Sequence, residues 1–80
     1  MKHLTLMSRR YCRLCYDMEA ALMELGAEFG FTLEVLDVDA DVELEARFNE
    51  LVPVLLHGET ELCHHFLDVP KVRDYLGDIR

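Results

Sequence analysis

Apolar and polar positions divide the chain into seven short elements. His3–Met7 sets Leu4 and Leu6 on one face and Thr5 and Met7 on the other, which predicts a buried strand running into a Ser8-Arg9-Arg10-Tyr11 loop. From about Cys12 the period turns helical. Leu14, Met18, Leu22, Leu25 and Phe29 recur at three- and four-residue spacing, Asp17, Glu19, Glu24 and Glu28 lie mainly off that stripe, and acids near the start suit the helix's positive end. Gly30 stands where a glycine C-cap belongs, and Phe31–Val38 reads as extended. A helix between two strands is the expected way to set them parallel and adjacent, so the cysteines should lie at the carboxyl end of the first strand.

Asp39-Ala40-Asp41 offers an N-cap for a second, shorter helix ending near Asn49, with Leu44 and Phe48 facing inward. Val52–His57 predicts a strand that opens on Pro53, a position with no ladder donor to lose, and Gly58-Glu59 turns it into an antiparallel partner, Thr60–Cys63. Asp68 is placed to cap a last helix that tolerates Pro70 in its first turn and packs Val72, Leu76 and Ile79 inward. The order β-α-β-α-β-β-α predicts an α/β fold with one four-stranded mixed sheet and helices on both faces. Eighty residues leave room for a single domain, residues 1–80.

The chemistry concentrates in Tyr11-Cys12-Arg13-Leu14-Cys15. Two thiols three apart can close a small disulfide ring when the first opens a helix and the second lies one turn further in. A cysteine at a helix N-terminus faces unpaired N–H groups and the positive end of the dipole, which favour the thiolate. Arg9, Arg10 and Arg13 crowd the same position. Cys12 is therefore the expected attacking thiol, and Cys15 the thiol that attacks the mixed disulfide and releases the product. Arg13, between the cysteines, and Arg9 are candidate substrate contacts. Tyr11 is expected to cover the disulfide with its ring and touch substrate, whereas Tyr16 and Tyr75 read as helix packing.

Composition narrows the alternatives. A net charge of −8 disfavours nucleic acid, and the apolar runs are too short to span a bilayer. The acids are uneven: Glu34–Glu50 holds seven carboxylates against Arg47 alone. Three cysteines and no apolar signal segment ahead of the first strand point to a reducing, cytoplasmic compartment, where paired thiols are more often catalytic or metal-binding than structural. A zinc set of Cys12, Cys15, Cys63 and either His64 or His65 is the sharper rival to redox chemistry. A redox-inert adaptor docking through its acidic flank is the other. Cys63 alone reads as a buried strand residue, and His64 and His65 as a strand end where an imidazole can share a proton with a thiol or favour an anion.

With Cys12-Arg13-Leu14-Cys15 after the first strand, Val52-Pro53 opening the third, and this order of elements, the chain resembles the small glutaredoxin-like class of the thioredoxin fold across essentially its whole length. The resemblance implies a thiol-disulfide oxidoreductase with Cys12 as nucleophile and Cys15 as resolving thiol. It further implies that Pro53 is cis, that Val52 offers backbone hydrogen bonds to a bound thiol substrate, and that the segment around His64 and Asp68 faces the glutamyl end of glutathione. Substrates would be protein disulfides or glutathione mixed disulfides, with no bound cofactor required. The chain departs from the usual pattern in having Arg13-Leu14 where a proline or glycine is common, and Cys63-His64-His65-Phe66-Leu67-Asp68 in place of a Gly-Gly-Asp turn. The electron donor is thus left open between glutathione and a thioredoxin-type reductant.

Overall fold

Alternation along the first strand sets up the two faces of the protein. The computed structural model describes residues 2–78, so the expectation for Ile79 lies outside the described residues. In β1 (Lys2–Ser8), Leu4 and Leu6 are buried toward one layer and Met7 toward the other, as the pattern predicts. The chain continues through α1 (Arg13–Phe29), β2 (Phe31–Asp37), a short 3-10 turn (Val38–Ala40), α2 (Val42–Phe48), β3 (Val54–His57), β4 (Thr60–His64) and α3 (Val69–Asp78). Strand order is β2-β1-β3-β4; β1 and β2 run parallel, and the other two pairings are antiparallel. This is the mixed α/β architecture expected from the sequence, with the 3-10 turn added.

Two apolar layers hold the sheet. On one side Leu4, Leu6, Leu55 and Leu62 meet Met18, Leu22 and Leu25 of α1 and Val72 and Leu76 of α3. On the other Met7, Val54 and Leu56 meet Val38 and Phe48, which brings α2 to the opposite face. A register shift between Leu55 and Leu56 sets Leu56 against Glu61 and Leu55 against Cys63. The extra residue lets both Leu62 and Cys63 bury in the α1/α3 layer, a use of the bulge that alternation alone forbids.

The local signals hold at most ends. Gly30 terminates α1 at φ 73°, its amide donating to the Gly26 carbonyl at 2.8 Å. Asp41 Oδ1 accepts from the Glu43 amide at 2.8 Å and caps α2, and Asp68 Oδ1 accepts from the Lys71 amide at 3.2 Å to cap α3. The third strand begins at Val54, so Val52 and Pro53 precede it instead of opening it.

The α1 stripe needs correction at its first turn. Cys15 is fully buried and Leu14 is 41% exposed. At 100° per residue both lie about 50° from the centre of the Met18-Leu22-Leu25-Phe29 stripe, on opposite sides, so spacing alone does not choose between them. Burial under the sheet does. No acid occupies the first turn either; Asp17, the fifth helical residue, is the earliest.

Two charged contacts fasten neighbouring elements to one another. Arg9, at the end of β1, uses every nitrogen of its guanidinium: Nε and Nη2 donate to the Asp39 carboxylate at 3.0 Å each, Nη2 to Asn49 Oδ1 at 2.6 Å, and Nη1 to the Asn49 carbonyl at 3.2 Å. At the other side of the molecule Arg73 of α3 meets the Glu28 carboxylate of α1 through both oxygens and lies over the Phe29 ring. Among the described residues no helix is long and apolar enough to cross a membrane.

The Arg9 fork predicts that Arg9→Ala lowers the urea-unfolding free energy by about 2 kcal/mol and that Arg9→Lys recovers little of it, because an ammonium cannot reproduce the planar contact. Glu28 carries a pH signature. Its hydrogen bond to Arg73 holds the carboxyl below its ordinary value of 4.5, so the contact's contribution is full above that pH and is lost as pH falls through the lowered value. Glu28→Gln should therefore melt earlier than the parent at neutral pH and together with it in strong acid; a gap that persists unchanged in acid contradicts this.

Candidate active site

The site grows from the carboxyl end of the parallel pair. There Ser8 faces Asp37 across β1 and β2, Met7 faces Val54, and Val54 faces His64, so one edge of the sheet gathers the cysteine loop, the Val52-Pro53 loop and the β4–α3 loop. Tyr11 turns the chain into α1 with φ 59°, a left-handed conformation uncommon for a residue other than glycine. Its amide donates to the Tyr16 hydroxyl at 3.2 Å, which fixes the turn from one helical turn ahead.

That turn makes Cys12 the N-cap of α1. Its backbone is extended, its carbonyl accepts from the Tyr16 amide at 3.1 Å, and its Sγ accepts from the Cys15 amide at 3.2 Å. A sulfur thus takes the place of the usual capping oxygen. Cys12 and Cys15 are joined as a disulfide, with Cα atoms 5.2 Å apart. The two sulfurs differ in access: Cys12 is partly exposed, whereas Cys15 has no exposed surface.

The flanking residues divide sharply. Arg13, the first residue of α1, is exposed and makes no ion pair or side-chain hydrogen bond among the described residues. Arg10 is 82% exposed in its side chain and reaches Asp37 only loosely, at 3.8 Å. Arg9 is committed to Asp39 and Asn49, so it serves as an anchor and does not crowd the thiol as a free cation. Tyr11 is 95% exposed and does not cover the disulfide with its ring. Tyr16, expected to pack in the helix, instead stands half in solvent and lines a cleft of about 280 Å³ with Arg10, Glu19, Val35 and Asp37.

The proline loop is fastened from two sides. The Val52-Pro53 peptide bond is cis, and Pro53 is fully buried. The Val52 amide donates to the Phe48 carbonyl at 3.2 Å, so that donor is already used, and the Pro53 carbonyl accepts the His65 amide at 2.8 Å. His65 has φ 64°, and its Nε2–H donates to the Glu50 carbonyl at 2.7 Å. His64 points elsewhere, sharing a hydrogen bond with Glu61 at 2.9 Å. Of the two histidines it is His65 that holds the loop, a role with no sequence signal beyond histidine's tolerance of left-handed backbone. Asp68 acts as a helix cap.

Cys63 is buried in the α1/α3 layer, and desolvation pushes its thiol up from the ordinary value despite an opposing hydrogen bond from the Asp68 backbone. Among the described residues no three His, Cys, Asp or Glu side chains are grouped to hold a metal ion, so the Cys12-Cys15-Cys63-His64/His65 set is not assembled. Facing the core withdraws Cys63, and the hydrogen bonds to Glu61 and Glu50 direct the imidazoles away from such a set.

Comparison with known proteins agrees with this fold. Residues 3–77 match the family described as Glutaredoxin-like domain (DUF836). The solution structure of protein Ne2328 from Nitrosomonas europaea is 37% identical and superposes with a TM-score of 0.81 over 92% of this chain and 89% of that one. The crystal structure of protein XcR50 from X. campestris is 31% identical, with a TM-score of 0.76 over 96% and 99%. At 20% identity the germline-specific thioredoxin Deadhead from Drosophila melanogaster shares the fold, with a TM-score of 0.64 over 98% of this chain and 80% of its own. With its Cys-x-x-Cys pair at the head of the first helix of a thioredoxin-like fold, the chain belongs to the glutaredoxin-like domain family.

Proposed function

We propose that the protein is a thiol-disulfide oxidoreductase in which Cys12 attacks and Cys15 resolves. The observation that carries this reading is the asymmetry of the pair: an accessible sulfur capping a helix N-terminus, and a buried sulfur one turn on. In the reduced protein the Cys12 thiolate receives the Cys15 N–H and the positive end of α1, with no acid in the first turn to oppose them.

The reaction balances without a bound cofactor. Cys12 Sγ⁻ attacks one sulfur of a substrate disulfide; that S–S bond breaks, a Cys12–substrate disulfide forms, and the other substrate sulfur leaves as thiolate and takes a proton from water. Cys15, losing its proton, then attacks Cys12 Sγ, and the second substrate sulfur departs as a thiol. Two electrons have passed to the substrate, and the Cys12–Cys15 disulfide remains. An external thiol, either glutathione or a thioredoxin-type dithiol, returns them. Protein disulfides and glutathione mixed disulfides both suit this sequence, in a reducing compartment such as the cytoplasm. The Val52-Pro53 loop is the wall against which the substrate lies, with the Val52 amide available only if it leaves the Phe48 carbonyl.

Measuring alkylation of the Cys15→Ser variant against pH tests the reading. Cys12 should titrate below the value of about 8.5 of a free cysteine, while Cys63 stays unreacted in the native protein. The same variant should accumulate one mixed disulfide per chain, and Cys12→Ser should neither turn over nor trap substrate. A midpoint at or above the free value, or undiminished turnover by Cys12→Ser, defeats the proposal. Partner binding that survives Cys12→Ser with no exchange in the parent would instead mark an adaptor.

A further inference from the structure

Exposed apolar and cationic side chains flank the attacking cysteine. Tyr11 precedes the attacking cysteine and is almost wholly in solvent, and Leu14, two residues after it, is also exposed. Arg13 lies between the two cysteines without a partner among the described residues, and Arg10 has only its loose contact with Asp37. Arg9 is spent elsewhere. Glu19 and Asp37 line the cleft beside Arg10 and partly offset it, whereas Arg13 has no ion pair among the described residues.

These features sit on a chain of net charge −8 whose acids crowd residues 34–50. An unpaired guanidinium and exposed apolar side chains around one reactive sulfur contribute nothing evident to the fold. They do match a partner that brings carboxylates and apolar surface to the same place, while the acidic remainder repels that partner from other approaches.

We infer that the site takes a disulfide within a polypeptide whose residues next to the attacked cysteine are acidic. Arg13, and more weakly Arg10, pair with those carboxylates, and Tyr11 and Leu14 cover the apolar part of the segment. This rests on the exchange activity proposed above and names its substrate class. The chemistry is unchanged: the polypeptide disulfide gains two electrons and two protons, Cys12 and Cys15 become the disulfide, and a dithiol reductant regenerates them.

The test uses two synthetic peptides, each closed by one disulfide and differing only in Glu or Lys beside the cysteines, together with oxidised glutathione. The full-length protein is recycled with dithiothreitol. Each rate is divided by the rate with dithiothreitol alone, because flanking charge alters the intrinsic reactivity of a disulfide. The Glu peptide should be reduced about fivefold or more faster than the Lys peptide at low ionic strength. The preference should fall toward unity near 1 M salt, where the Debye length is about 3 Å. Arg13→Glu should reverse it, and an acid at the first helical position favours the helix, so the variant should fold. Reading the ratio of peptides cancels any general change in Cys12 reactivity.

Equal normalised rates at low salt, or an unaltered preference in Arg13→Glu, overturn the inference. Reduction of glutathione disulfide with neither peptide touched also overturns it, while leaving the exchange activity standing. If none of the three disulfides is reduced, the exchange activity itself is wrong and the inference goes with it.

Discussion

A sulfur atom capping a helix is the contact on which the rest of this structure depends. The Cys12 Sγ takes the N–H that a serine or aspartate oxygen would ordinarily accept, so one atom both starts α1 and makes the attack in the proposed exchange. Several features elsewhere follow from that double duty. The first turn of α1 holds no acid that would compete for the dipole. Tyr11 takes a left-handed conformation, pinned by the Tyr16 hydroxyl, to bring the chain from strand to helix within four residues. Cys15 is fully buried, which leaves Cys12 as the exposed end of the pair.

The sheet supplies the rigid edge against which this happens. β1 is its hub, pairing with β2 over seven residues and with β3 on its other side, so the last residues of β1 are fixed from both flanks. The surrounding loops are clamped individually: the end of β1 by Arg9 through Asp39 and Asn49, and the proline loop by the Phe48 carbonyl and the His65 amide. Clamped loops on either side of the disulfide suit the proposed cycling between dithiol and disulfide without repacking of the core.

Most of the fold was legible because its signals are local. Leu4 and Leu6 against Met7 fixed the faces of β1, Gly30 and Asp68 marked helix ends, and Gly58-Glu59 joined β3 to β4. The cysteine pair and its placement on a helix start were legible for the same reason. What escaped was decided by contacts distant in sequence. Leu14 and Cys15 flank the α1 stripe symmetrically, so only the sheet settles which is buried. Arg9 looks like a companion to Arg10 and Arg13 until Asp39 and Asn49, thirty and forty residues on, are brought to it. Tyr16 and His65 hold backbone groups through long or left-handed connections for which no spacing rule exists.

The central claim is that Cys12 and Cys15, and no other pair, form a reversible redox couple. Intact-mass spectrometry of the full chain, equilibrated across a series of reduced-to-oxidised glutathione ratios, addresses it directly. The account predicts a reversible loss of two hydrogens that peptide mapping assigns to a Cys12–Cys15 disulfide, with Cys63 still a free thiol once the protein is denatured. An oxidised species that pairs Cys63 with either cysteine, or no intramolecular disulfide even at the oxidising end of the series, would contradict it.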